Sequence, residues 1–187
     1  MKRVTVLAVL TTAMLLGCAP KQEQPREPLI PPPTTYSIPT PTATEPYAPV
    51  KSLERQAAEK AVTEYFRLKN QVLTDHSADL EPLAALLTGP LLEYQIPFVE
   101  EDRAENIIQK GEFSYVVHNS VVVSPGNIEV LACTDVTGTD VVDLDTGESV
   151  LDANRSMHRN WRIDVQQVND TWKLANYTTD VVASCEP

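Results

Sequence analysis

Phe113-Ser114-Tyr115-Val116-Val117-His118-Asn119-Ser120-Val121-Val122-Val123-Ser124-Pro125-Gly126-Asn127 is the stretch where the chain changes its period. Phe113, Tyr115, Val117, Val121 and Val123 fall on one side of a two-residue repeat, the pattern of a half-buried strand. Ser124-Pro125-Gly126-Asn127 has proline second and glycine third, as a type II turn requires, so the chain doubles back. Ile128 to Val136 is the return strand. A shorter hairpin follows around Asp145-Thr146-Gly147. Met157, Trp161, Ile163 and Val165 then alternate with His158, Asn160, Arg162 and Asp164, which marks a strand with one covered face. Asn169-Asp170 turns tightly into a last strand, Trp172 to Val182.

Upstream of Gly111 the period is helical. Ala58, Ala61, Val62, Tyr65, Phe66 and Val72 form a stripe, with Glu54, Arg55, Glu59, Lys60 and Glu64 largely on the other side. Ser52 is placed to cap this helix, and Glu54 lies in its first turn, where the helix dipole favours a negative charge. The pattern predicts a second helix over Ala78 to Leu87, stopped by Gly89-Pro90, and a third from about Pro97 to Gln109, ended by Gly111. Helices first and a meander of strands after them predict an α+β domain, with the helices packed on one face of a curved antiparallel sheet.

The N-terminus carries an address. Met1-Lys2-Arg3 is a positive start, and Val4 to Leu16 is uncharged and mainly apolar. Leu15-Leu16-Gly17-Cys18 then puts a small residue directly before a cysteine. The run is shorter than the roughly 20 apolar residues a membrane span needs and fits a cleaved signal. Leu15, Gly17 and Cys18 resemble the bacterial lipobox, although Leu16 is bulkier than the residue usual there. In that pattern the Cys18 thiol receives a diacylglycerol, with palmitate among the acyl chains such proteins carry, and Cys18 becomes the first residue of the mature chain. An ordinary secretory signal that happens to contain a cysteine is the alternative. Ala19 to Val50 holds 10 of the 15 prolines and five threonines and has no glycine. Such a segment is expected to be a disordered, extended tether. A ligand for an aromatic groove is the other reading of Pro31-Pro32-Pro33. The organisation expected is therefore a signal peptide at 1–17, a lipid-anchored Pro/Thr-rich linker at 18–50, and a globular α+β domain at 51–187.

Charge and cysteines agree with export. The 187-residue chain has a net charge of −11, and removing Lys2 and Arg3 leaves 13 basic against 26 acidic residues. That surface repels nucleic acid and anionic headgroups, so membrane attachment is expected through the Cys18 acyl chains. With Cys18 committed to lipid, Cys133 and Cys185 remain as an even pair in an oxidising compartment. A disulfide between them would tie down the C-terminus; two buried free thiols are the alternative.

Val168-Asn169-Asp170-Thr171-Trp172-Lys173-Leu174, following this element order, resembles the nuclear transport factor 2-like (cystatin-like, cone-shaped) α+β superfamily. Val130-Leu131-Ala132-Cys133-Thr134-Asp135, with Trp172-Lys173 and the late Cys185, is similar to uncharacterised actinobacterial lipoproteins. The resemblance spans Lys51 to Cys185. It implies a cone whose mouth, in isomerase-like members, holds a carboxylate with a Tyr or protonated Asp as oxyanion partner. Tyr65, Tyr115, Asp135, Trp161 and Asp164 are the residues here that would line such a mouth. Tyrosines and tryptophans on alternating strands also serve simply as core.

Other chemistry is thin. His76, His118 and His158 are scattered without metal-ligand spacing, and no metal is expected. Asp140, Asp143, Asp145 and Glu148 surround Gly147 in an order that departs from a calcium loop, and aspartates at turns commonly bond backbone. No nucleophile elbow, phosphate loop or dinucleotide motif occurs, so neither a catalytic residue nor a cofactor is expected. The sequence therefore supports a non-catalytic, lipid-anchored module that binds a protein partner on the extracytoplasmic face of a bacterial cell membrane. A small-molecule-binding or isomerase-type protein using the cone cavity is the second reading. The resemblance also admits a phage-encoded exported lipoprotein acting in superinfection exclusion. The anchor is directly testable: Cys18→Ala is expected to abolish incorporation of labelled fatty acid, and a mutant that is still labelled would refute the lipobox.

Overall fold

The polypeptide between Ser52 and Asp75 forms α1, Leu53–Thr74, in a computed structural model that describes residues 51–186. The expected signal peptide, Cys18 and the Pro/Thr-rich linker lie outside the described residues. Ser52 Oγ accepts a hydrogen bond from the Arg55 amide at 3.3 Å, as an N-cap should. The predicted stripe is the buried one: Ala58, Val62, Tyr65 and Phe66 are wholly inaccessible. Two further helices, α2 (Glu81–Ala85) and α3 (Gly89–Ala104), precede strands β1 (Ile107–Lys110), β2 (Ser114–Ser124), β3 (Asn127–Asp135), β4 (Asp140–Asp143), β5 (His158–Val168) and β6 (Thr171–Val182).

Four strands form one antiparallel sheet in the order β2-β3-β5-β6, and β1 pairs with β4 in a separate two-stranded ribbon. Period-two alternation decides which face is covered. Ile128, Val130 and Ala132 of β3, Trp161, Ile163 and Val165 of β5, and Leu174 of β6 are buried, while Arg162, Gln166 and Lys173 lie on the more open side or at the strand ends. The β2–β3 turn is as read: Gly126 has φ +73°, the left-handed conformation a type II turn demands of its third residue. At the β5–β6 turn Asn169 and Asp170 both take positive φ, +49° and +62°, which suits a two-residue hairpin.

Three helix expectations need correction. Residues 78–87 hold only the five-residue α2. Gly89-Pro90 opens α3 instead of stopping a helix, because proline is well suited to the first helical turn, where its missing N–H has no partner to lose. The junction is held by β6: the Thr88 amide donates to the Leu174 carbonyl and the Leu174 amide to Leu86, each at 2.9 Å. Pro97, expected to begin a helix, lies inside α3. The helix ends at Ala104, and Asn106 turns left-handed at φ +55°. Ile107 and Ile108 therefore leave the helix and pair with Asp143 and Val142 as β1. The hairpin at Asp145 is reduced to a bridge between Val142 and Ser149, since β4 spends its main ladder on β1.

The sharp corner from β1 into β2 needs glycine twice over. Gly111 has φ +75°, and a Cβ there would collide with the Gly138 carbonyl. Cys133 and Cys185 are joined as a disulfide, with Cα atoms 5.5 Å apart. Since β5 lies between β3 and β6, the segment after Val182 must cross β5 to reach Cys133.

Asn70 is buried on α1 and meets the main chain of β2's approach at both ends. Its Nδ2 donates to the Phe113 carbonyl at 2.9 Å, and its Oδ1 accepts the Phe113 amide at 3.1 Å. Asn70→Ala leaves both backbone groups buried without a partner and is expected to lower unfolding free energy by about 2–4 kcal/mol. Denaturant titration measures it; a change below about 0.5 kcal/mol would mean water replaces the side chain.

Candidate functional site

Six aromatic rings meet where α1 crosses the sheet. Phe66 sits among Tyr115 at 5.1 Å, Tyr65 at 5.3 Å, Trp161 at 5.6 Å and Phe113 at 6.0 Å between ring centroids. Trp161 also packs on Tyr177 at 4.6 Å. These rings fill one half of the cone. Beyond them, towards the end of α3 and the β1–β4 ribbon, filling stops and a cavity of about 490 Å³ remains, within the size range of small-ligand pockets. Trp161, Tyr177 and Phe113 form its inner wall, Phe98 and Leu73 come from the helices, and Val141 and Leu151 close the far side.

Trp161 is both core and wall. It is 8% exposed, and its Nε1 donates at 2.9 Å to Oγ1 of buried Thr134 on the neighbouring strand. That bond satisfies the indole and fixes the ring plane that faces the cavity.

The polar groups of the wall are few, and Lys69 is the one that matters most. It lies on α1 one turn beyond Tyr65 and Phe66, on the same stripe. Its Nζ stands 5.3 Å from the Trp161 ring centroid and 5.7 Å from that of Tyr65, close enough for cation–π attraction. Among the described residues it pairs with no carboxylate. Desolvation therefore acts almost unopposed and lowers its pKa to about 8. Across the cavity, Asp102 of α3 is half-buried; burial, then the neighbouring Glu105 and Glu101, push its carboxyl above the usual range. Gln109, Thr179 and the rim residue Arg159 complete the polar lining.

Of the five residues expected to share a mouth, the structure brings only Trp161 to this cavity. Tyr65 is sealed beneath it, with its hydroxyl donating to Gln95 Oε1 at 3.0 Å, and burial raises its pKa strongly. Tyr115 contributes its ring to the aromatic core and its edge to a separate polar depression beside Arg67 and Asn70. Asp135 turns its carboxylate onto the Thr137 amide at 2.8 Å and lies 3.5 Å from His158 Nε2. Those contacts, Thr137 first, hold its pKa low. Asp164 alternates with Ile163 and Val165, so it points to the opposite face, beside Glu129 and Asn176. A period-two rule applied to β5 alone would have separated Trp161 from Asp164. Lys69 was also detectable, as the one charge on an otherwise apolar helical stripe.

The aspartates around Gly147 are taken up by hydrogen bonds within and beside the turn, Asp145 by the Asn106 carboxamide at 3.2 Å. Asp143 Oδ1 accepts from the amides of Asp145 at 2.7 Å and Thr146 at 3.1 Å, and Asp140 Oδ1 from the Ser149 hydroxyl at 2.6 Å. Among the described residues no three ligating side chains converge.

A half-buried, poorly solvated ammonium without a counter-ion among the described residues opposes folding. Lys69→Met is accordingly expected to raise the melting temperature at pH 7. The sign follows from linkage. The folded pKa lies below the ordinary 10.5, so the unfolded chain binds more protons between pH 8 and 10.5, and wild-type stability rises there. The advantage of Lys69→Met should therefore be full below pH 8 and shrink as pH approaches 10.5. A lower melting temperature for Lys69→Met at pH 7 would show that the aromatic contacts outweigh desolvation.

Neither a family model nor a curated protein matches the chain. Solved structures do. The intermembrane-space region of chloroplast protein ARC6 is similar over 71% of this chain and all of that one, with a TM-score of 0.56 and 17% identity. A ketosteroid isomerase-like protein from Erwinia carotovora atroseptica SCRI1043 is similar over 72% of this chain and all of that one, with a TM-score of 0.51 and 16% identity. At such identities the likeness shows the fold alone. Helices laid on a curved antiparallel sheet with a cavity at one end give the chain a cone-shaped α+β fold of the nuclear transport factor 2-like type.

Proposed function

We propose that this chain is a lipid-anchored protein of the extracytoplasmic membrane face whose cone binds a small, largely apolar molecule without transforming it. The observation that carries this reading is the unfilled end of the cone. An apolar cleft of about 490 Å³, open to solvent on one side and walled by Trp161, Tyr177, Phe113 and Phe98, has the size and lining of a small-ligand pocket. A filled, apolar cone would favour the protein-partner reading. The cavity, with Asp102 and Tyr177 in its lining, favours the small-molecule alternative instead.

Binding is preferred to catalysis for a geometric reason. General-base catalysis needs a base within hydrogen-bond reach of the proton it takes, with a donor placed where charge develops. Lys69 and Asp102 stand on different helices and form no ion pair, and Asp135 and Asp164, the carboxylates the isomerase reading would use, are directed elsewhere. The membrane attachment rests on Leu15 to Cys18. Among the described residues no helix is long and apolar enough to cross a bilayer, so an acylated cysteine would supply the anchor.

The neutral probe naphthylacetamide tests the pocket. Its binding is expected to quench tryptophan emission in the wild type and to be lost in Thr179→Trp, which places a bulky ring in the cavity from β6. Equal binding by a folded Thr179→Trp variant, or no binding by the wild type, would overturn the reading.

A further inference from the structure

Resting on that small-molecule reading, we infer that the natural occupant is an organic acid with an aromatic or otherwise apolar body, its anionic head paired with the Lys69 ammonium. The cavity presents a charge with nothing to neutralise it. Lys69 Nζ is flanked by the Trp161 and Tyr65 rings and forms no ion pair with a described carboxylate. Ring faces attract a cation but do not replace a counter-ion. A carboxylate entering the cavity would make the charge-assisted hydrogen bond that the protein itself omits.

The charges facing the cavity from each packed element favour an anion. Lys69 comes from α1 and Arg159 from β5, against Asp102 from α3; Tyr177 of β6 is neutral at physiological pH, with its pKa raised by burial. Two cations to one carboxylate is an inversion in a chain whose overall charge is −11. A cationic ligand would be repelled by Lys69. A neutral one would exclude water from the ammonium without supplying a partner, which penalises binding. A small inorganic anion would leave the aromatic wall unused. A single anionic head on an apolar body satisfies both the ammonium and the rings.

The test compares naphthylacetate with its neutral isostere naphthylacetamide by calorimetric titration of the full chain. At pH 7 the acid is expected to bind at least about tenfold tighter, the usual scale for a hydrogen bond between charged groups. Lys69→Met should abolish that difference, weakening the acid and tightening the amide, which no longer strips water from an ammonium. In the wild type, acid binding should draw protons from buffer near pH 8, where free Lys69 is partly deprotonated, and its advantage should fall as pH rises further. Equal affinities for acid and amide in the wild type would leave the small-molecule reading standing and overturn the inference. An acid preference that survives in Lys69→Met would overturn it as well, by assigning the head to another cation such as Arg159. Binding of neither compound would remove the pocket reading and the inference with it.

Discussion

Asn70 bonds the amide and the carbonyl of Phe113 at once, and much of the domain's geometry depends on that pair. The carboxamide presents one donor and one acceptor to the main chain, as a neighbouring strand would. It thus attaches α1 to the sheet as one more rung, where apolar packing alone would let the helix slide or rotate. Gln109 supports the arrangement, donating to Asn70 Oδ1 at 3.3 Å and to the Gly111 carbonyl at 2.9 Å across the β1–β2 corner. With the rotation of α1 fixed at Asn70, Phe66 one turn earlier is directed into the rings of Phe113, Tyr115 and Trp161. The adjacent Lys69 is directed towards the cavity.

The opposite end of α1 is held by charge. Arg55 donates to Ser120 Oγ at 3.0 Å and Asn119 Oδ1 at 2.7 Å, just after the bulge that interrupts the β2 ladder between Val117 and Asn119. Ser120 in turn donates to Glu59 at 2.7 Å, and Lys51 meets the same carboxylate at 2.8 Å. Burial tends to raise the Glu59 pKa, but the bonds from Lys51 and Ser120 prevail and lower it. Together with the bridge of Leu87 to Leu174 behind α3, these contacts give the helical layer fixed attachments on β2 and β6. A helical layer fixed in that way does not collapse onto the sheet to fill its own void. The cavity is a consequence of the attachments as much as of the residues that line it.

What the sequence made legible follows from which forces are local. The α1 stripe, the alternation along β5, and the turns at Gly126 and Asn169-Asp170 are all written in neighbouring residues, and they stand in the structure as read. Along β2 the alternation holds only as far as Val117, where a bulge shifts the phase, so that Ser120 is buried while Val121 and Val123, expected on the covered side, are exposed. The failures lie where a distant partner decides. Gly89-Pro90 signals a break in isolation, but β6 captures Leu87 and Thr88 and makes the same dipeptide a helix start. Ile107 and Ile108 fit a helical stripe until β4 offers them a ladder. At the site, aromatic character correctly singled out Trp161. Asp135 and Asp164 carried chemical promise without facing the cone, because a carboxylate's type says nothing about its side of a strand.

Lys69 illustrates the complementary rule. A lysine on the solvent face of a helix is silent, and one near the edge of an apolar stripe can extend its charged end into water along its aliphatic stem. Lys69 follows Tyr65 by four residues and Phe66 by three, so it continues the buried stripe while Val72, three residues further on, is buried again. A charge at such a position opposes the packing that its neighbours favour. Only two arrangements tolerate it: a buried partner, or a space left beside it. The structure has the second, with rings on two sides of the ammonium and open volume on the third. The conflict between period and polarity at this one position thus marks the place where the cone departs from a filled core, and it ties the site to the pattern that builds the fold.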